Sequence, residues 1–206
     1  MAHRVADQIQ TDACEAAVDG SQDRGEGAAR PLAADAPEAG RARPLLLVDV
    51  DGVLSLFGFD LAAPPPGSFR AVDGLPHFIS SVAGELLLRL AARFELVWAS
   101  GWEDRANEHL RALLGLPQDL PHLSFARAWA AGESLRAHWK LDAVDAFAPA
   151  RPLAWIDDAF NEACEQWAAQ RHAPTLLVAT QPPVGLTAAH ACELERWAAT
   201  LGETQP

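Results

Sequence analysis

The chain has 206 residues, half of them hydrophobic, with a formal net charge of −12 at pH 7. That length suits one domain plus a tail, and the acidity argues against a non-specific nucleic-acid binder, whose phosphate contacts need clustered Lys and Arg. No stretch approaches the roughly 18 apolar residues of a membrane span, and the amino terminus lacks the apolar run of a secretory signal.

Residues 1–43 contain no Phe, Trp or Tyr, are rich in Ala, Asp, Gly and Arg, and show no sustained period. Too few apolar anchors offset the entropy of ordering such a segment, so a disordered tail is expected, with a partner-binding arm as its functional alternative. The folded domain is expected over 44–206. Strand and helix patterns alternate from residue 44, which implies a parallel α/β sheet. The first strand spans 44–50. Residues 55–79 follow, where Pro64-Pro65-Pro66-Gly67 excludes a helix and Asp73-Gly74 between two apolar runs signals a hairpin.

A helix over 80–93 has Val82, Leu86, Leu87 and Leu90 at helical spacing, with Ser80 or Ser81 as its cap. A strand over 95–100 precedes a helix over 103–114 carrying Leu110, Leu113 and Leu114. Segment 122–126 reads as a short strand and 133–145 as a helix. Strand 152–156, helix 159–171, strand 175–180 and helix 187–201 complete the pattern, with the loop 181–187 at another strand's carboxyl end. The cysteines at 14, 164 and 192 make no metal spacing and no even framework, so reduced, structural thiols in a cytoplasmic chain are expected. The seven histidines form no H-x-x-x-H pair, which speaks against zinc.

Four strand-associated features carry chemistry. Leu45-Leu-Leu-Val-Asp-Val-Asp-Gly-Val-Leu54 is a buried strand that delivers Asp49 and Asp51 to its carboxyl end, where open α/β sheets keep their sites. Two acids so close repel, and a metal, a cation or a proton must compensate one of them. Glu95-Leu-Val-Trp-Ala-Ser100 is a second buried strand, ending in Ser100. It is no hydrolase elbow, since Trp98-Ala-Ser-Gly-Trp102 lacks the leading glycine of G-x-S-x-G. Pro152-Leu-Ala-Trp-Ile-Asp-Asp158 is a third, ending in Asp157 and Asp158, one of which is expected to cap the next helix. Between them, on the expected helix, lies Lys140, the only lysine of the chain. In so arginine-rich a composition, a solitary lysine marks a site that wants a compact ammonium rather than a planar fork. Trp98 and Trp155 fall within strand patterns and are expected in the core. Trp102, Glu103, Arg105 and Asn107 follow Ser100, where substrate contacts could lie, with surface duty on a helix the plainer reading of each.

The order Asp-x-Asp-Gly, Ser, Lys, Asp-Asp over roughly residues 44–181 resembles the haloacid dehalogenase (HAD) superfamily. The phrase Trp98-Ala-Ser-Gly-Trp-Glu-Asp-Arg-Ala-Asn107 is similar to that of small bacterial HAD-like proteins of unassigned substrate. The resemblance implies a three-layer Rossmann-like parallel sheet and a Mg²⁺-dependent phosphatase. Asp49 would be the nucleophile that forms an aspartyl-phosphate, and Asp51 the general acid and then base. Ser100 would donate a hydrogen bond to a phosphate oxygen, and Lys140 would neutralise nucleophile and phosphate. Mg²⁺ would take Asp49, the Asp51 backbone carbonyl and Asp158, with Asp157 behind it and Asn161 assisting.

HAD proteins insert a flap or a cap after the first strand. The 25 residues of 55–79 allow a short hairpin flap and no large cap. Such an open site suits a phosphorylated substrate larger than a small metabolite, or a lid from a partner. A nucleic-acid end would be a specialisation that the net charge opposes. The alternative is a catalytically idle HAD-like module that binds a partner through its flap or tail. A phosphoacceptor signalling domain also uses aspartates, Ser/Thr and Lys, but there the lysine comes last, whereas Lys140 precedes the second acidic pair.

Overall fold

The computed structural model describes residues 42–125 and 138–203. The expected tail, apart from its last two residues, and the first part of the expected 133–145 helix lie outside the described residues.

Strand β1, Leu45–Val48, sits between β5, Glu95–Trp98, and β6, Leu153–Asp157, and β7, Thr175–Ala179, flanks β6. All pairings are parallel, with Leu45 opposite both Glu95 and Leu153. Because side chains alternate along a strand, the sheet buries two apolar faces. Leu46, Val48, Leu96, Trp98, Ala154 and Ile156 pack under helices α1, Ser81–Leu90, α2, Arg105–Leu114, and α5, Ala188–Glu203. Leu45, Leu47, Val97, Leu153 and Trp155 face α3, Leu141–Phe147, and α4, Glu162–Gln170, through Val144, Cys164 and Trp167. The result is the expected three-layer Rossmann-like sheet, with Trp98 and Trp155 fully buried.

Between β1 and α1 the chain forms a small antiparallel sheet in the order β2, Ser55–Leu56, then β4, Leu75–Ser80, then β3, Gly67–Val72. This is the hairpin flap, and no larger cap interrupts the described fold. Asp73 and Gly74, at φ 49° and 81°, make the turn, both in the left-handed region that the tightest hairpins require. Asp73 at the tip is ion-paired with Arg105 of α2, and His109 Nε2 lies 3.6 Å from it.

Several boundaries differ from expectation. Ser80 does cap α1, its Oγ accepting the Ala83 N–H at 3.1 Å, but Val82 is exposed and Ala83 takes the inward place. On α2, Leu110 and Leu114 face the core with Ala106, while Leu113 is exposed. Segment 122–126 contributes only a bridge between His122 and Trp98 on the open edge of β5. Pairing stops upstream because the Asn107 side chain takes both backbone groups of Leu120. The cap of α4 is Asn161, whose Oδ1 accepts the Cys164 N–H at 3.3 Å, rather than either member of the acidic pair. Cys164 is a free, buried thiol.

Candidate active site

After Val48 the strand unwinds. Val50 O accepts the N–H groups of Leu54 and Ser55, each at 2.8 Å, and closes a tight turn. Gly52 sits in it at φ 71°, and a Cβ there would lie 2.4 Å from Asp158 Cγ and Oδ2. Only glycine meets both the left-handed backbone and this approach. Thr180, just beyond β7, donates its hydroxyl to Gly52 O at 2.9 Å, and Leu186 N–H bonds Val53 O at 3.0 Å. The 181–187 loop thus braces the turn that carries the first two acids.

Asp49 leaves the strand end 6 % exposed, its Oδ1 accepting the Val50 N–H at 2.8 Å. Its Oδ2 lies 2.6 Å from Lys140 Nζ. The same ammonium stands 2.7 Å from Asp157 Oδ2 and is itself 2 % exposed. One nitrogen therefore bridges two buried carboxylates from neighbouring strands. Lys140 is not within a helix as expected. It is the N-cap of α3, placed by a turn in which Leu141 N–H bonds His138 O at 2.9 Å. His138 is buried in that turn, and its Nε2 lies 3.7 Å from Asp157 Oδ1.

The two residues of the acidic pair have different surroundings. Asp157 is fully buried at the end of β6, with Oδ2 on Lys140 and Oδ1 accepting the Ala159 N–H at 3.0 Å. Burial would push its carboxyl up, but His138 and Lys140 outweigh that and hold it below the usual range. Asp158 is partly exposed, and its carboxyl is raised by burial and by the charge of Asp157. Asp49 is pushed up to about 6 by burial, with Lys140 opposing and Asp157 adding to the rise.

Asp49, Asp157 and Asp158 each present one oxygen within 4.8 Å of the others. Three carboxylates gathered about one ammonium make a site that attracts a cation. An all-carboxylate donor set suits a hard cation. Asp49, Asp157 and Asp158 could hold it, although both oxygens of Asp49 and of Asp157 also take part in the contacts above.

Asp51 stands apart from this cluster, its side chain about half exposed. Its Oδ2 accepts the indole N–H of Trp102 at 2.9 Å, and its Oδ1 lies 3.6 Å from His77 Nδ1. Ser100 is buried just beyond β5, its Oγ 3.4 Å from the Trp102 N–H. The other residues after Ser100 serve the scaffold: Glu103 accepts the Phe125 N–H, and Asn107 bonds the Trp98 indole at 2.9 Å. Sequence reading gave no role to His77 or His138, and treated Trp102 as a surface residue although it is buried. Their partners lie across tertiary distance, so no local spacing signals them.

The parallel sheet and this acid-lined strand end are those of an α/β protein of the HAD class. A family model described as "HAD domain in Swiss Army Knife RNA repair proteins" matches residues 45–191, and the chain belongs to the HAD superfamily. No curated protein matches it. No helix among the described residues is long and apolar enough to cross a membrane.

Proposed function

We propose that the protein is a Mg²⁺-dependent phosphohydrolase that cleaves a phosphomonoester through an aspartyl-phosphate on Asp49. The observation that carries this reading is the single ammonium of Lys140 held between Asp49 and Asp157, with Asp158 beside them. Its charge opposes the rise that burial imposes on the Asp49 carboxyl, and it stands where the negative charge of a bound phosphate would gather.

Asp49 attacks the phosphorus, and the bond to the ester oxygen breaks. Asp51 gives its proton to that oxygen, so the alcohol leaves and Asp51 becomes a carboxylate. Water then attacks the same phosphorus, passes its proton to Asp51, and frees inorganic phosphate and Asp49. Ser100 donates to a phosphate oxygen, and Lys140 offsets the charge that gathers between nucleophile and phosphate. Asp49, the Asp51 carbonyl and Asp158 would hold Mg²⁺, with Asp157 fixing Lys140 from behind. When bound, the ion screens the phosphate from the carboxylate that attacks it.

The matching family is described as belonging to RNA repair proteins, which favours a terminal phosphate of RNA as the phosphomonoester. The short flap and half-exposed Asp51 suit a phosphate at the end of a long chain. The net charge requires that such an end be held by local contacts rather than by a general basic field. A panel of phosphomonoesters, including oligoribonucleotides with 5′- or 3′-terminal phosphate, tests the proposal with Mg²⁺ and with EDTA. Metal-dependent phosphate release is expected. No release from any substrate, with identical melts in EDTA and Mg²⁺, would favour the idle binding module instead.

A further inference from the structure

Asp51 differs from the other acids in how it is held. No lysine or arginine is paired with it among the described ion pairs, and its side chain is half exposed. A carboxylate that exposed would ordinarily turn about its own torsions. Here two elements remote in sequence converge on it. Trp102, only 9 % exposed, comes from the loop after β5 and donates its indole N–H to Oδ2 at 2.9 Å. His77, from flap strand β4, brings Nδ1 to 3.6 Å from Oδ1 and to 3.0 Å from Ser55 Oγ. The two rings pack edge to face with centroids 4.7 Å apart. The Trp102 backbone N–H meets Ser100 Oγ at 3.4 Å, so one short loop sets both the hydroxyl and the indole.

We propose that Trp102 is a positioning residue for Asp51, fixing its carboxyl so that Oδ1 is the oxygen that exchanges a proton with the leaving group. The inference rests on the phosphohydrolase reading above. Its chemical basis is that an indole nitrogen donates only. It therefore favours Oδ2 as an acceptor whether Asp51 is protonated or not, and the proton is left to Oδ1. The same bond restricts the rotation of the carboxyl plane, so the acid need not be oriented anew at each turnover. His77 borders the other oxygen and supports the Trp102 ring. Trp102 touches no reacting atom in this scheme and acts only through Asp51.

A residue that positions the acid matters in proportion to how much the leaving group needs a proton. An alkyl phosphate expels a strongly basic oxygen and depends on Asp51, whereas p-nitrophenyl phosphate expels a stable phenolate and depends on it little. The test is kcat/KM for a simple alkyl phosphate and for p-nitrophenyl phosphate, with Mg²⁺, in wild type, Trp102→Phe and Asp51→Asn. Phenylalanine keeps an aromatic ring against His77 and deletes the N–H. The alkyl-to-aryl ratio of kcat/KM is expected to fall about tenfold in Trp102→Phe and further in Asp51→Asn. Because both rates come from one preparation, the ratio does not change if part of a variant is misfolded. A ratio unchanged in Trp102→Phe but lowered in Asp51→Asn overturns the positioning role and leaves the hydrolase standing. A ratio unchanged in both overturns the proton-transfer role of Asp51 and the inference with it. Wild type that releases phosphate from neither ester nor from any other member of the phosphomonoester panel overturns the phosphohydrolase reading and this inference together.

Discussion

Replacing Lys140 by arginine keeps the charge and changes its shape. The ammonium nitrogen lies 2.6 Å from Asp49 Oδ2 and 2.7 Å from Asp157 Oδ2, in a site where the residue is 2 % exposed. A guanidinium spreads its N–H groups over a plane and is bulkier, so it cannot occupy the same point between two carboxylates without moving one of them. Over-packing of a filled interior costs about 1–3 kcal/mol. For a domain of this size that lowers Tm by roughly 2–12 °C. The effect on rate is separate, since a displacement near 1 Å in the attacking group costs about 100-fold. A loss of kcat/KM of at least tenfold, about 1.4 kcal/mol of transition-state stabilisation, is therefore expected. Lys140→Met should be worse for stability, by about 3–5 kcal/mol, because it leaves two buried carboxylates without their cation. Phosphate-release kinetics and thermal melts on the purified variants check both effects. Lys140→Arg with wild-type kcat/KM and wild-type Tm would refute the reasoning.

Gly52→Ala should cost roughly 1–2 kcal/mol from its left-handed backbone alone. It should also blunt the response to Mg²⁺, because the new methyl meets Asp158; urea unfolding with and without Mg²⁺ measures both. The acidic pair should separate by assay. Asp158→Asn is expected to leave metal-free stability within about 0.5 kcal/mol while shrinking the rise in Tm on adding Mg²⁺. Asp157→Asn should lower metal-free stability by several kcal/mol, as expected when a buried partner of Lys140 is lost. Melts that show the reverse ranking would exchange the roles given to Asp157 and Asp158.

The features legible in the sequence are those set by local period and local strain. Leu45 to Val48 is apolar at every position, which marks a strand buried on both faces, and its end fixes where Asp49 falls. Asp73-Gly74 declares its turn because few residues tolerate two successive positive φ values. Ser80 announced its helix through a cap that reaches only three residues. Lys140 was marked by its solitude, but its place before α3 rather than within it depends on the turn at His138, which no periodicity encodes. The strand expected at 122–126 is reduced to one bridge at His122, and within it Phe125 gives its N–H to the Glu103 side chain rather than to β5, a partner that lies 22 residues away and that no local pattern signals. Trp102 looked like a residue of a helix surface; its indole bond to Asp51 spans 51 residues and exists only once β1 and β5 lie side by side. Local sequence thus placed the acids, and tertiary packing chose what holds each of them.

The most direct test of the central claim is phosphate release by wild type and Asp49→Asn from the phosphomonoester panel, in Mg²⁺ and in EDTA. Asparagine is nearly isosteric and cannot attack phosphorus as a carboxylate does. Release by wild type that requires Mg²⁺ and is abolished in a folded Asp49→Asn protein is the expected result. Release that persists in Asp49→Asn, or wild type that frees phosphate from none of the substrates, would contradict it.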